Sequence, residues 1–260
     1  MKNLSSLLTF LVCIFLITCK KEAEKNDNYE SYINEILDCM NYPRPQDAYN
    51  YQALPGMEIW NTFRTTQEMI EACQVPNSIL VSLSTEAVFQ SIWEYPFFFE
   101  TVTRPGYYQH DFENVIGNTN SFVELKKRED AALCLFSRLL SVDPLCTIYS
   151  RGLELFISQP LFLEQLSENE KKRIVEISLK NDLIRQQAVN YEEDASREIT
   201  WLLIARTLWL AKYEPFVNLM DENDQLKRFL ETSMVNFYSK EEYDNFFQLI
   251  VSNGKNFIQK

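Results

Sequence analysis

Glycine is scarce in this chain: 5 in 260 residues, against a usual ~7 %. Few glycines leave few positions for positive-φ turns, which disfavours hairpin-rich β folds. The same scarcity removes the glycine loops that cradle phosphates, so no nucleotide site is expected. Histidine occurs once, as His110. A zinc centre of the HExxH kind needs two, and a Ser-His-Asp triad would have to use this one. No GxSxG is present to supply a nucleophile elbow, and no CxxC pair supports a redox or zinc-ribbon reading. Basic excess is also missing, with 25 Lys+Arg against 37 Asp+Glu and a net charge of −12. Such a balance opposes nucleic-acid binding and electrostatic adhesion to anionic lipid. No cofactor is implied.

What is present begins at the N-terminus. Lys2 precedes an apolar run from Leu4 to Thr18. The run is shorter than the ~20 residues a membrane span needs, and has the length of a signal-peptide apolar region. It ends at Leu16-Ile17-Thr18-Cys19, which resembles a lipobox, and the chain then turns polar at once. The expectation is a signal peptide over residues 1–18 and a lipid-bearing, palmitoylated Cys19 at the head of the mature chain. Residues 19–28 would form a solvated tether. Two or more acyl chains give lasting attachment where one gives marginal binding. Lys20, in place of an Asp, favours the outer membrane by resemblance to known sorting rules. Cys13 leaves with the signal, so Cys39, Cys73, Cys134 and Cys146 remain. Their helical settings predict buried free thiols, with Cys134 and Cys146 as the pair if a bridge forms.

Residues 29–64 read as a short helix, Tyr29–Met40, and then a Pro- and Tyr-rich irregular segment packed on the domain. Residues 65–260 read as helix almost throughout. Thr65, Ser167 and Ser239 each precede a Glu three residues on, the pattern of a capping box. Ser84 opens another helix, and Asp143-Pro144 offers a further entry. Three segments share one grammar: Tyr95-Pro96-Phe97, Gln159-Pro160-Leu161 and Tyr213-Glu214-Pro215-Phe216. In each, one helix ends, Pro follows, and an apolar stretch opens the next. This predicts stacked helical hairpins, an irregular array like an α-solenoid. The most apolar internal stretch, Trp201–Ala211, is too short to span a bilayer and predicts a buried central helix.

Candidate chemistry is sparse. Trp93, Trp201 and Trp209 lie on apolar helical stripes and belong to the core. Trp60, Tyr107, Tyr108 and His110 lie in less regular segments and are the candidates for a ligand-facing surface. Asp221-Glu222-Asn223-Asp224 matches only part of a calcium loop, lacking its glycine and terminal Glu. Glu192-Glu193-Asp194 suits a helix N-terminus better than catalysis.

The stretches Leu54–Trp60, Gln67–Pro76 and Leu83–Ala87 resemble a group of helical lipoproteins of Bacteroidota type. The likeness is good from residue 54 to about 100 and loose beyond. It implies a helical extracytoplasmic protein. It implies no activity, ligand or catalytic residue.

The sequence therefore predicts an all-α single domain hung from Cys19 at the outer membrane. Its expected role is a binding or scaffolding module for a protein or glycan partner. An enzyme is the rival: a carboxylate-dependent hydrolase of glycan or peptidoglycan, which would show facing acids of raised pKa.

Overall fold

The computed structural model describes residues 42–188 and 197–260. The signal segment, Cys19, the tether, the expected helix Tyr29–Met40 and the acids Glu192–Asp194 lie outside them. The fold is all-α: every regular element among the described residues is helical, and none is a strand.

Two compact units divide the chain. The smaller includes Tyr51–Cys73. It holds a 3-10 turn, Glu58–Thr62, and helix α1, Thr66–Ala72. The Thr65 hydroxyl caps α1 by accepting from the Glu68 amide at 3.2 Å. Glu68 returns a bond to the amide of Arg64, at 2.6 Å, one residue earlier than a capping box requires. The Cys73 thiol lies 3.5 Å from the Ala53 carbonyl. Helix α1 thus sits with the irregular stretch before it.

The larger unit comprises Cys39–Asn50 and Gln74–Lys260. Its helices are α2 (Asn77–Leu80), α3 (Thr85–Trp93), α4 (Glu100–Thr103), α5 (Tyr108–Asp111), α6 (Asn120–Leu125) and α7 (Ala131–Ser141). They continue as α8 (Thr147–Ile157), α9 (Pro160–Leu163), α10 (Glu168–Gln187), α11 (Arg197–Leu210), α12 (Glu214–Asp221), α13 (Asp224–Thr232) and α14 (Lys240–Ile258). Prolines act as the sequence grammar suggests: Pro160 opens α9 and Pro215 is the second residue of α12. Missing amides at these positions cost nothing, because the first turn has no partner for them.

Helix pairs α7–α8 and α10–α11 pack as hairpins, and α14 closes on both members of the second. At the centre is α11, which packs against α8, α9, α10, α12, α13 and α14. Every residue from Glu198 to Leu208 is buried, so the helix carries apolar side chains on all sides. Its one central cation, Arg206, is 2 % exposed and bonds to carbonyls, with the Glu113 charge also favouring it. Its Nε donates to Leu230 O at 2.8 Å, in the last turn of α13, and a terminal nitrogen reaches Ser158 O at 3.4 Å. These are orphan acceptors at two helix C-termini, where a cation is favoured. Burial lowers the Arg206 pKa to about 10, so the charge persists at neutral pH.

Aromatic rings fill the space between α3, α8 and α9. Phe156 lies within 5.1–5.8 Å, centroid to centroid, of Phe89, Phe112, Phe122 and Phe162. Gly152 lets α8 come close: a Cβ there would lie 2.8 Å from the Phe98 ring. Of the indoles assigned to the core, Trp93 and Trp201 are buried, while Trp209 is 37 % exposed at the last turn of α11.

The α8 entry differs from expectation. Helix α8 begins at Thr147, not at Pro144. Asp143 instead accepts from the Leu145 amide at 2.9 Å in a side-chain turn, and the Pro144 carbonyl is taken by Arg185 Nε at 3.1 Å. The cysteines also differ. Cys73 and Cys134 are free and buried, as expected, but Cys134 does not pair with Cys146. Cys146 is disulfide-bonded, to a partner outside the described residues.

The box at α10 is complete, with Ser167 and Glu170 bonded reciprocally at 3.3 and 2.7 Å. Replacing Ser167 with Ala should cost about 1 kcal/mol in urea unfolding, with the unfolding slope unchanged. A loss below ~0.3 kcal/mol would show that packing alone fixes this helix start.

Candidate functional site

The turn that leads into α5 organises the most chemically distinctive region. Tyr107 N–H donates to Arg104 O at 3.1 Å, with Pro105 and Gly106 between them. Gly106 has φ +77°. Pro at the second position and a positive-φ Gly at the third is the pattern of a type II turn. A side chain at Gly106 would meet nothing within 4 Å, so the requirement for glycine there is conformational rather than spatial.

Arg104, Tyr107 and His110 present themselves on the outer side of this turn. The Arg104 guanidinium lies 5.1 Å from the Tyr107 ring centroid and 3.2 Å from Asp111 Oδ1. His110 Nδ1 approaches the same carboxylate oxygen at 3.1 Å. The Arg104 and His110 side chains are 58 % and 65 % exposed, while Asp111 beneath them is only 5 % exposed. The second oxygen of Asp111, Oδ2, is buried and has no hydrogen-bond partner. The chain after Asp111 runs into a π-helical turn, Phe112–Ile116, an irregularity frequent at functional sites.

The inner side of the turn faces Glu198, the second residue of α11. Glu198 is 6 % exposed. Its Oε1 accepts from the Tyr243 hydroxyl, at the start of α14, at 3.4 Å, and the Gly106 amide also acts on the carboxylate. Its Oε2 makes no hydrogen bond, and neither does the buried indole nitrogen of Trp201 one turn along the helix. Desolvation raises the Glu198 pKa to about 7, against the lowering effects of Tyr243 and Gly106. A helix N-terminus favours an ionised acid by about 0.3–1 kcal/mol; here burial wins. The same burial, with the Glu198 charge, pushes the Tyr243 hydroxyl upward.

Trp201 stacks on Phe247 at 4.0 Å between centroids, and the Arg197 guanidinium covers the Trp201 ring at 4.5 Å. Arg197 is itself held by two bonds to Asp182, both 3.0 Å. Three segments distant in sequence therefore meet at Glu198: the turn at 104–107, the start of α11 and the start of α14.

The residues singled out from sequence separate here. Tyr107, 46 % exposed, and His110 are on the surface of the cluster. Tyr108 is a correction: it is 1 % exposed, because the helix it opens turns it inward, so it packs the core and presents no surface. Trp60 belongs to the smaller unit, half-buried and edge-on to Phe63 at 5.9 Å. Sequence reasoning passed over Arg104, Asp111, Glu198 and Tyr243. The one available signal was an acid directly ahead of the most apolar helix, and that placement reads equally as a helix-terminus charge.

Among the described residues no group of three or more His, Cys, Asp or Glu is arranged to hold a metal. Asp221–Asp224 forms the connection between α12 and α13, where Asn223 caps α13 by accepting from the Leu226 amide at 3.0 Å. No helix among the described residues is long and apolar enough to cross a membrane. Comparison with protein-family models, with curated proteins and with solved structures finds no match.

Proposed function

We propose that this chain is a lipid-anchored protein of the cell envelope that holds a protein or glycan partner, with the Arg104–Tyr107–His110 face as its contact surface. The observation that carries the reading is that face itself. Three exposed side chains of mixed character are fixed on a glycine-dependent turn, over two buried carboxyl groups that each keep one oxygen free of hydrogen bonds. Rigid, pre-formed display lowers the ordering cost of binding, and an aromatic ring beside polar groups suits both sugar faces and peptide side chains.

The envelope location rests on the signal segment, the lipobox-like Leu16–Cys19 and the likeness of residues 54–100 to Bacteroidota-type lipoproteins. A disulfide at Cys146 agrees with it, because such bonds persist in oxidising compartments. Replacing Cys19 with Ser should leave the chain unprocessed or release it from washed membranes, read by fractionation and intact mass. Unchanged attachment of a processed chain would overturn the anchor.

The binding reading is tested with the full-length protein in detergent, titrated by calorimetry against peptidoglycan fragments and soluble oligosaccharides and used as bait for envelope proteins. Tyr107→Ala and Arg104→Lys should each weaken an interaction at least tenfold while leaving the melting temperature within about 2 °C, since the Tyr107 side chain is exposed and a Lys keeps a cation beside the buried Asp111. An interaction indifferent to both variants would remove this face from the function.

A second reading, a carboxylate-dependent hydrolase, is favoured by one observation: Glu198 keeps its proton up to about pH 7, as a general acid must. It expects turnover of glycan substrates with a pH limb near 7 that disappears in Glu198→Gln. Measured turnover that Glu198→Gln leaves intact would exclude Glu198 as the acid.

A further inference from the structure

The three segments that meet at Glu198 are held in different ways. On α11, every residue from Glu198 to Leu208 is buried. On α14, the Tyr243 ring packs edge-on against Phe247 at 4.6 Å and Phe237 at 5.7 Å. The turn at 104–107 is exposed instead. Arg104 and Tyr107 lie on the surface, and a Cβ at Gly106 would meet nothing within 4 Å. The chain on either side of it is anchored. Thr101 and Val102 are buried in α4, and Tyr108 is buried at the start of α5. The Gln109 amide then donates to the buried Ser233 Oγ at 3.0 Å. Between these anchors the turn is a short strap, tied inward by the Gly106 amide on the Glu198 carboxyl.

We infer that this strap is a proton-operated latch: protonated Glu198 holds it closed, and ionised Glu198 lets it swing outward, taking Arg104 and Tyr107 with it. The enclosure suits a neutral carboxyl and not an anion. Oε2 is buried and makes no hydrogen bond. The charged and titratable groups around it are committed elsewhere. Arg197, on the same helix, is paired with Asp182 of α10. Arg104 is paired with Asp111, and His110 approaches the same Asp111 oxygen. On α14, Tyr243 is pushed toward its neutral form, and Asp244 adds negative charge. A carboxylate so placed needs water, and the exposed strap is the side from which water reaches it. Swinging the strap out gives up the Gly106 bond and the Arg104–Asp111 pair, and that pair is weak because Arg104 is largely solvated.

The direction of the pH dependence follows. Burial puts the closed-state carboxyl at about 7, against 4.5 when solvated in the open state. The proton's preference for the closed strap is complete below about pH 4.5 and gone above about pH 7. Between those limits it falls roughly tenfold per pH unit. What the latch regulates rests on the reading of Arg104, Tyr107 and His110 as the contact surface. Two of those three ride on the strap, so the surface is assembled in acid and loosened at neutral pH.

Hydrogen–deuterium exchange of the full-length protein in detergent tests the latch from pH 5 to pH 8, with rates corrected for the base-catalysed rise in intrinsic exchange. Peptides spanning residues 104–107 should lose protection at least about tenfold between pH 5 and pH 7.5, and regain it on acidification. Peptides from α3 and the middle of α14 should keep theirs. Glu198→Gln retains every other ionisable group and should hold the strap closed throughout. Gly106→Ala is strained at its positive φ and should open the strap even at pH 5. Flat protection of the wild-type strap would overturn the latch. So would a loss shared equally by α3 and α14, or one that persists in Glu198→Gln. Calorimetry at pH 5.5 and pH 7.5 separates the latch from the contact reading. Local opening beside an interaction indifferent to Tyr107→Ala removes the contact surface and leaves the latch standing. Flat exchange beside an interaction that Tyr107→Ala weakens removes the latch and leaves the contact surface.

Discussion

Replacing Arg185 with Met is expected to destabilise the fold by about 3–5 kcal/mol. Arg185 and Glu154 are both 0 % exposed and meet at 2.6 Å. No water competes for them, and the remaining donors and acceptors are met inside the protein. Arg185 donates to Thr200 Oγ1 and to Ser150 Oγ, each at 2.8 Å, and to Pro144 O at 3.1 Å. The Thr200 hydroxyl donates in turn to Glu154. One guanidinium thus joins α8, α10, α11 and the turn that precedes α8. Removing it leaves an unpaired carboxylate in a site with no solvent, which costs far more than the pair itself contributes. Urea unfolding gives the magnitude. The double variant Arg185→Met, Glu154→Leu should recover most of the loss, since an apolar pair of similar volume carries no stranded charge. A single-variant loss under 1 kcal/mol, or a double variant as unstable as the single, would show that Glu154 finds another partner or protonates cheaply.

The second large effect is a dependence of stability on pH that runs opposite to the common carboxylate case. The Glu198 pKa is about 7 in the fold against 4.5 when exposed. Between those values the folded chain holds a proton that the unfolded chain releases. Its contribution is therefore fully present below about pH 4.5 and is lost as pH rises through 7. At about 1.36 kcal/mol per pH unit, the loss amounts to about 3 kcal/mol by pH 8. Glu198→Gln keeps the shape and removes the ionisation. The stability difference between wild type and variant, measured from pH 4 to pH 8, should change by that amount in the variant's favour. Parallel curves would mean that the carboxylate is solvated in solution.

Helix starts were legible because their chemistry is local. Ser84, Ser167 and Ser239 accept from the amides three residues on, as their spacing implies. Helix α11 was legible because an unbroken apolar run too short for a membrane has nowhere to go except a core. The site was not. Gly106, Glu198 and Tyr243 are brought together only by packing, and nothing in the spacing of any one segment announces the other two. The α8 entry failed for a related reason: a proline three residues early looks like a helix start until a distant arginine claims its carbonyl. The cysteines show the same division. Burial of Cys73 and Cys134 follows from local apolar pattern, whereas which sulfurs meet is a property of topology.

Helix α11 also imposes a schedule on the chain. Helices α8, α9 and α10 each pack one face against it, yet it begins at Arg197, three-quarters of the way along. During N-to-C synthesis those faces are complete, and uncovered, before the element that covers them exists. The helices emerging first must therefore remain in a sticky, unfinished state until residues 197–210 arrive, and the final order of the larger unit is reached in one late, collective step rather than helix by helix.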